Sequence, residues 1–143
     1  MISQAVIQAL KNFVPEENIS LQEPMAAHTT FRIGGPADCF VQLESREQLI
    51  GVQKYLYQVE VPFFVLGNGS NLLVSDNGFP GIILQIGQRM SRIEVDGRRI
   101  TAQAGATLAQ VARTALEHGL TGLEFAAGIP GTVGGGVVMN AGA

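Results

Sequence analysis

The sequence predicts an α+β chain in which an α/β unit is followed by an antiparallel unit. Three observations carry this. Residues 38–66 alternate strand, helix and strand; Asp96-Gly97 marks a hairpin; and two glycine-rich segments, Gly67–Asn71 and Gly128–Ala143, punctuate the two units. The division is expected at 1–20 for an N-terminal helix and lead-in, 21–80 for the α/β unit, and 81–143 for a partial antiparallel unit.

Each element has a local cause. Ile2, Val6, Ala9, Leu10 and Phe13 share one side of a helix, which Pro15 ends. A short strand is expected near Ile19–Leu21, and Thr29–Ile33 is β-prone before the turn signal Gly34-Gly-Pro36. Asp38–Leu43 alternates like a strand and contains Cys39, expected as a buried small residue. Ser45-Arg-Glu-Gln48 has the capping-box pattern, with Gln48 reaching back to the Ser45 amide. The helix that follows turns Leu49, Val52, Leu56 and Val59 inward.

Phe63-Phe-Val-Leu66 is a compact apolar run, as expected of a strand covered on both faces. Together these segments predict a right-handed crossover with Asp38–Leu43 and Phe63–Leu66 as parallel neighbours. Gly67–Asn71 then lies at the carboxyl end of a strand, where open α/β sheets bind ligands. Leu72–Val74 and Ile82–Ile86 read as further strands. Arg92–Val95 and Ile100–Ala104 alternate around Asp96-Gly97. Thr107-Leu-Ala-Gln110 is a second capping box; it opens a helix with Leu108, Val111, Ala112, Ala115 and Leu116 inward and Gly119 at C′.

Composition excludes several function classes. With 46% hydrophobic residues, 143 residues can form a core, and the charged fraction of 15% lies below the roughly 25% of ordinary soluble domains. A net charge of −3 gives no electrostatic footprint for nucleic acid. Arg89, Arg92, Arg98 and Arg99 flank the hairpin and read as a solvated edge. One cysteine rules out an internal disulfide. No run approaches the roughly 18 apolar residues of a membrane span, and no secretory signal is evident, so a cytoplasmic location is expected. No His, Cys and carboxylate spacing suggests a metal site.

The glycine-rich segments are the ligand candidates. The amides of Gly67, Asn68, Gly69, Ser70 and Asn71 can form an anion-binding nest, although the same residues also suit an ordinary turn. Leu72 stands where a dinucleotide fingerprint needs its third glycine, and no P-loop lysine occurs. In the second segment, Gly128, Ile129, Pro130, Gly131, Thr132, Gly134 and Gly135 resemble the opening of a short helix. Its amides favour a phosphate, and a close-packed glycine corner is the alternative. Catalytic candidates are scarce. His28 lies in an irregular loop, His118 caps a helix C-terminus, Tyr55 and Tyr57 sit on the first long helix, and Glu124 reads as structural.

Four strings, in order, resemble one known family: His28-Thr-Thr-Phe-Arg-Ile-Gly-Gly-Pro-Ala-Asp38, Leu66-Gly-Asn-Gly-Ser-Asn-Leu-Leu73, Gly122-Leu-Glu-Phe-Ala-Ala-Gly-Ile-Pro-Gly-Thr-Val-Gly-Gly135 and Met139-Asn-Ala-Gly-Ala143. Together they look like the N-terminal part of the UDP-N-acetylenolpyruvoylglucosamine reductase (MurB) family. The resemblance implies an FAD-binding domain of the p-cresol methylhydroxylase and vanillyl-alcohol oxidase type, and a chain that is a fragment of the enzyme. It implies that Gly67–Asn71 wraps the FAD diphosphate, that Gly128–Gly135 adds contacts, and that Asn140, Ala141 and Gly142 line the flavin. Asn68 stands where some relatives carry a flavin-linking histidine, so FAD is expected to bind non-covalently.

The implied reaction passes hydride from NADPH through FAD to an enolpyruvyl UDP-sugar in peptidoglycan precursor synthesis. The family's catalytic serine, assisting glutamate and substrate-binding Tyr-Arg pair have no matching positions here. No catalytic residue is therefore assigned, and the fragment is expected to be inactive alone. It is also expected to self-associate through an exposed sheet edge. The alternatives are a non-catalytic nucleotide-binding module or another flavin oxidoreductase of the same fold.

Overall fold

The structure, a computed structural model, describes residues 1–142. After helix α1 (Gln4–Leu10) the chain forms β1 (Ile19–Pro24), β2 (Pro36–Leu43), α2 (Arg46–Gln58), β3 (Phe63–Leu66) and β4 (Phe79–Ile86). The hairpin β5 (Ile93–Asp96) and β6 (Arg99–Ala102) follows, then α3 (Leu108–Glu117) and the short α4 (Val133–Val138).

The first sheet has the order β1-β2-β4-β3. β1 runs antiparallel to β2, whereas β2 and β3 both run parallel to β4. The crossover through α2 therefore skips one position, and β4 fills it, so β2 and β3 are not the neighbours expected from their succession. The expected division at 80/81 falls inside β4, the strand that joins β2 to β3.

Strand alternation places side chains on two faces. Cys39, Val41, Leu43, Ile82 and Leu84 share one core with Leu10 of α1 and with Val52 and Leu56 of α2. Phe40 and Ile83 face the opposite way, into a second core with Met25, Ala37 and Leu66. Cys39 is fully buried. Burial in apolar surroundings, helped by the neighbouring Asp38 carboxylate, pushes its thiol from 9.0 up to about 11.

Several local expectations change in three dimensions. β3 is an edge strand, and Phe64 and Val65 are 44% and 38% exposed, because nothing packs over both of its faces. Residues 72–74 form no strand. Leu72 and Val74 pack into the second core from a loop, and the Ser75 carbonyl beyond them accepts the Gly35 N–H at 2.9 Å. Residues 29–33 form a turn instead of extended backbone. The Arg32 N–H donates to the Thr29 carbonyl at 3.1 Å, and the Thr29 hydroxyl donates to the Ile33 carbonyl at 3.1 Å.

The helix ends follow their sequence signals closely. Thr107 and Gln110 form the reciprocal capping box of α3. At α2 the Ser45 hydroxyl accepts from the Gln48 N–H, but the Gln48 side chain reaches the Glu44 amide at 2.8 Å, one residue before the expected partner. Gly119, with φ +66°, ends α3 in the left-handed conformation. The N–H groups of Gly119 and Leu120 donate to the Leu116 and Ala115 carbonyls, the hydrogen-bond pair of a Schellman C-cap. Leu116 itself is 77% exposed and does not join the inward face. In the hairpin Asp96 pairs with Arg99, so Gly97-Arg98 is the loop and Gly97 supplies its positive φ of +58°.

Candidate functional site

The carboxyl ends of β2, β3 and β4 open onto a cleft of about 960 Å³, at the upper end of the roughly 300–1,000 Å³ typical of ligand pockets. Gly67 and Asn68 border it from the loop after β3, Thr132 from the segment before α4, and His28 and Arg32 from the turn before β2. Gly87 and Arg89 close the side beyond β4. Among the described residues, no aspartate or glutamate lines it. An acidic protein with an acid-free cleft is suited to an anionic ligand.

The two glycine-rich segments meet at this cleft, as the sequence suggests. A Cβ on Gly67 would lie 2.5 Å from Thr132 Oγ1, and one on Gly131 would lie 3.1 Å from Ser70 Oγ. Their amides nevertheless differ. Among the described residues, the N–H groups of Asn68, Gly69, Ser70 and Asn71 donate to no protein acceptor. The first loop therefore keeps its donors for a ligand or solvent.

The first turn of α4 does not. Val133 and Gly134 donate to the Ala106 and Ala104 carbonyls at 2.8 and 2.9 Å. Gly135 donates to Thr132 Oγ1 at 3.2 Å, and Gly136 to the Thr132 carbonyl at 2.8 Å. The phosphate-binding helix terminus expected from sequence is thus closed by internal partners. Gly134 fits the close-packed corner instead, since a Cβ there would stand 2.9 Å from Ala104 Cβ.

Of the expected cofactor-binding residues, Gly67, Asn68 and Thr132 line the cleft, whereas Gly69, Ser70, Asn71, Gly131, Gly134, Gly135 and those that follow here do not. Gly128 and Pro130 are exposed, and Ile129 is half-buried. Asn140 (φ +48°) and Ala141 cap α4, donating to the Val137 and Gly136 carbonyls at 3.2 and 2.9 Å. This is again the Schellman arrangement, and Gly142 follows it in exposed backbone.

Gly69 has a structural duty that sequence alone conceals. Its φ is +70°, and a Cβ would lie 1.9 Å from the His28 carbonyl oxygen. Its own carbonyl accepts the Thr30 N–H at 3.1 Å. The bare backbone lets the loop lie against the 28–30 segment, so a larger residue at 69 disturbs folding before it tests ligand contact.

Sequence reasoning assigned no ligand role to three further residues that line the cleft, His28, Arg32 and Arg89. His28 is held by Glu23, with 2.8 Å between Nε2 and Oε1, and stacks on Phe40 at 4.0 Å between ring centroids. Arg89 pairs with Glu44 and donates to Asn18 Oδ1 at 3.1 Å. His28 and Arg32 share one turn, Arg89 comes from a distant one, and no spacing rule links them. His118 is exposed and bonds only its own helix, to the Thr114 carbonyl. Among the described residues, no group of three or more His, Cys, Asp and Glu side chains could hold a metal ion. No helix there is long and apolar enough to cross a membrane.

Residues 37–143 match the family described as FAD binding domain. The UDP-N-acetylenolpyruvoylglucosamine reductase of Caldanaerobacter subterraneus subsp. tengcongensis is 48% identical over 142 residues, which cover 99% of this chain and 47% of that protein. The crystal structure of MurB from Thermus caldophilus superposes with a TM-score of 0.65 at 38% identity, over 87% of this chain and 42% of the other. p-Cresol methylhydroxylase superposes with a TM-score of 0.61 at 17% identity, over 83% and 26%, a likeness that bears on the fold alone. The chain spans about half the length of the curated relatives it matches. With three quarters of its residues inside the matched region and a fold shared with these proteins, the chain belongs to the FAD binding domain family.

Proposed function

We propose that this chain is the FAD-holding portion of a UDP-N-acetylmuramate dehydrogenase, the enzyme that reduces an enolpyruvyl UDP-sugar with NADPH in peptidoglycan precursor synthesis. The observation that carries the proposal is the loop Gly67–Asn71: its Asn68–Asn71 amides meet no protein acceptor, and its Gly67 and Asn68 border a cleft without carboxylates. Such a nest suits a diphosphate. Asn68 and Thr132 add carboxamide and hydroxyl groups at the cleft, and Gly131 lets the second segment approach Ser70 of the loop. Bound FAD would supply hydride transfer; the residues of this chain bind it and fix its diphosphate end. The identity of nearly half to the reductases supports this choice of activity and a UDP-sugar substrate. We place the protein in the cytoplasm and the FAD in a non-covalent site, consistent with Asn68 in the loop. The chain alone is proposed to hold cofactor without turnover.

Titration of the purified chain with FAD tests this. Saturable quenching of flavin fluorescence and a rise in the thermal midpoint with FAD concentration are expected. Asn68→Ala and Ser70→Ala should each weaken FAD about fivefold, the loss of one ordinary hydrogen bond, with the unliganded midpoint unchanged. A folded chain that ignores FAD would rule out cofactor binding by this chain. The exposed edge of β3, with Phe64 and Val65 outward, supports self-association at a sheet edge. An elution volume on size exclusion that stays independent of concentration would remove that part of the proposal.

A further inference from the structure

Accepting the FAD site just described, we propose that Arg32 is the cation that meets the cofactor's diphosphate at the cleft, from the turn that lies against Gly67–Asn71. A diphosphate needs donors from more than one direction, and the α4 amides that might have faced the loop are engaged with Ala104, Ala106 and Thr132. Three cationic or titratable nitrogen side chains line the cleft, those of His28, Arg32 and Arg89. His28 is tied to Glu23 and Arg89 to Glu44. Among the described residues, Arg32 has no carboxylate within 4.0 Å and its guanidinium makes no hydrogen bond to protein.

Its backbone is also unusual. Arg32 has φ +57°, a conformation uncommon for a bulky residue and concentrated at functional sites. The turn that imposes it is pinned at both ends, by the Arg32 N–H to the Thr29 carbonyl and by the Thr29 hydroxyl to the Ile33 carbonyl. Thr29 is 7% exposed, so the turn is anchored while Arg32 stands exposed at the cleft. The Thr30 N–H donates to the Gly69 carbonyl, which fixes the turn against the amide loop itself. A planar guanidinium suits bidentate contact with phosphate oxygens better than an ammonium does.

The test compares Arg32→Gln, Arg32→Lys and the unaltered chain in FAD titrations at two salt concentrations. Gln keeps the backbone strain and the polarity but removes the charge. Arg32→Gln should weaken FAD about tenfold or more, the scale of a charge-assisted hydrogen bond, and should flatten the salt dependence of binding. Arg32→Lys should recover part of the affinity and the steeper salt dependence. Equal FAD affinity in Arg32→Gln and the unaltered chain would overturn the proposal. So would equal losses in both variants with the original salt dependence, since that marks a structural turn. An unaltered, folded chain that binds no FAD would overturn the underlying site reading, and the proposal with it.

Discussion

The four-stranded sheet and the unit that follows it differ in how they bury themselves. The first packs apolar side chains on both faces, and its two cores include Phe40, Leu43, Leu56, Ile82, Ile83 and Leu84, each fully or almost fully buried. The second, from β5 to α4, buries mainly small residues: Ala106, Ala115, Ala126 and, less completely, Val111. Its larger apolar residues point outward; Leu116, Phe125, Val137, Val138 and Met139 are between 56% and 82% exposed. Hydrogen bonds locate it instead. Gly105 donates to the Met90 carbonyl at 2.8 Å, while within the unit Leu108 donates to the Gly131 carbonyl at 3.1 Å. The first unit stands on hydrophobic burial, whereas the second is placed by backbone pairing and close glycine contacts. The cleft lies between them because each supplies one wall.

Substitution of one large apolar residue in each unit should expose this difference most strongly. Phe40→Ala empties a 1% exposed site and should destabilise the chain by about 3–5 kcal/mol in urea unfolding followed by circular dichroism. Leu116→Lys, at 77% exposure, should shift stability by less than about 0.5 kcal/mol. Comparable losses would mean that the second unit has a core of its own.

A pair of left-handed glycines, Gly69 and Gly119, sharpens the comparison at the level of backbone. Gly69→Ala meets both a positive φ and the His28 carbonyl, and should cost about 3 kcal/mol. Gly119→Ala has a φ of +66° with nothing within 4 Å, and should cost about 1 kcal/mol. If both cost the same, the contact between the amide loop and the 28–30 segment carries no packing constraint.

The smallest effect concerns pH. The Cys39 thiol has its folded pKa raised above the unfolded 9.0 to about 11, so the native state prefers the protonated form. Its contribution is fully present below pH 9.0 and is lost as pH rises from there toward about 11. Cys39→Ala should flatten that part of the pH–stability curve relative to the unaltered chain, a slope difference measured by urea unfolding at several pH values.

Local signals were legible wherever one segment contains its own cause. Thr107 and Gln110 lie three residues apart and cap the helix that they begin. Gly119 and Gly97 sit where only a positive φ allows the chain to turn. Signals that depend on a distant partner were not legible. Phe63–Leu66 reads as an inner strand by its composition, yet β4, arriving from later in the chain, takes the inner position. The first-turn amides of α4 read as phosphate donors until the carbonyls of Ala106 and Ala104 claim those of Val133 and Gly134. The cleft's cationic wall was equally hidden, because Arg32 and Arg89 approach Asn68 and Thr132 only through tertiary packing.

The sequence by itself determined the helices, the hairpin and strands β2, β3 and β4, and the strings that mark the family, because periodicity, caps and turn residues act over a few positions; it did not determine the backbone of 29–33 or 72–74. The tertiary structure alone decided the strand order, the meeting of the two glycine-rich segments and which amides stay free. Those depend on which groups the fold brings within hydrogen-bonding distance, and an N–H that pairs with a protein carbonyl is no longer available to a ligand.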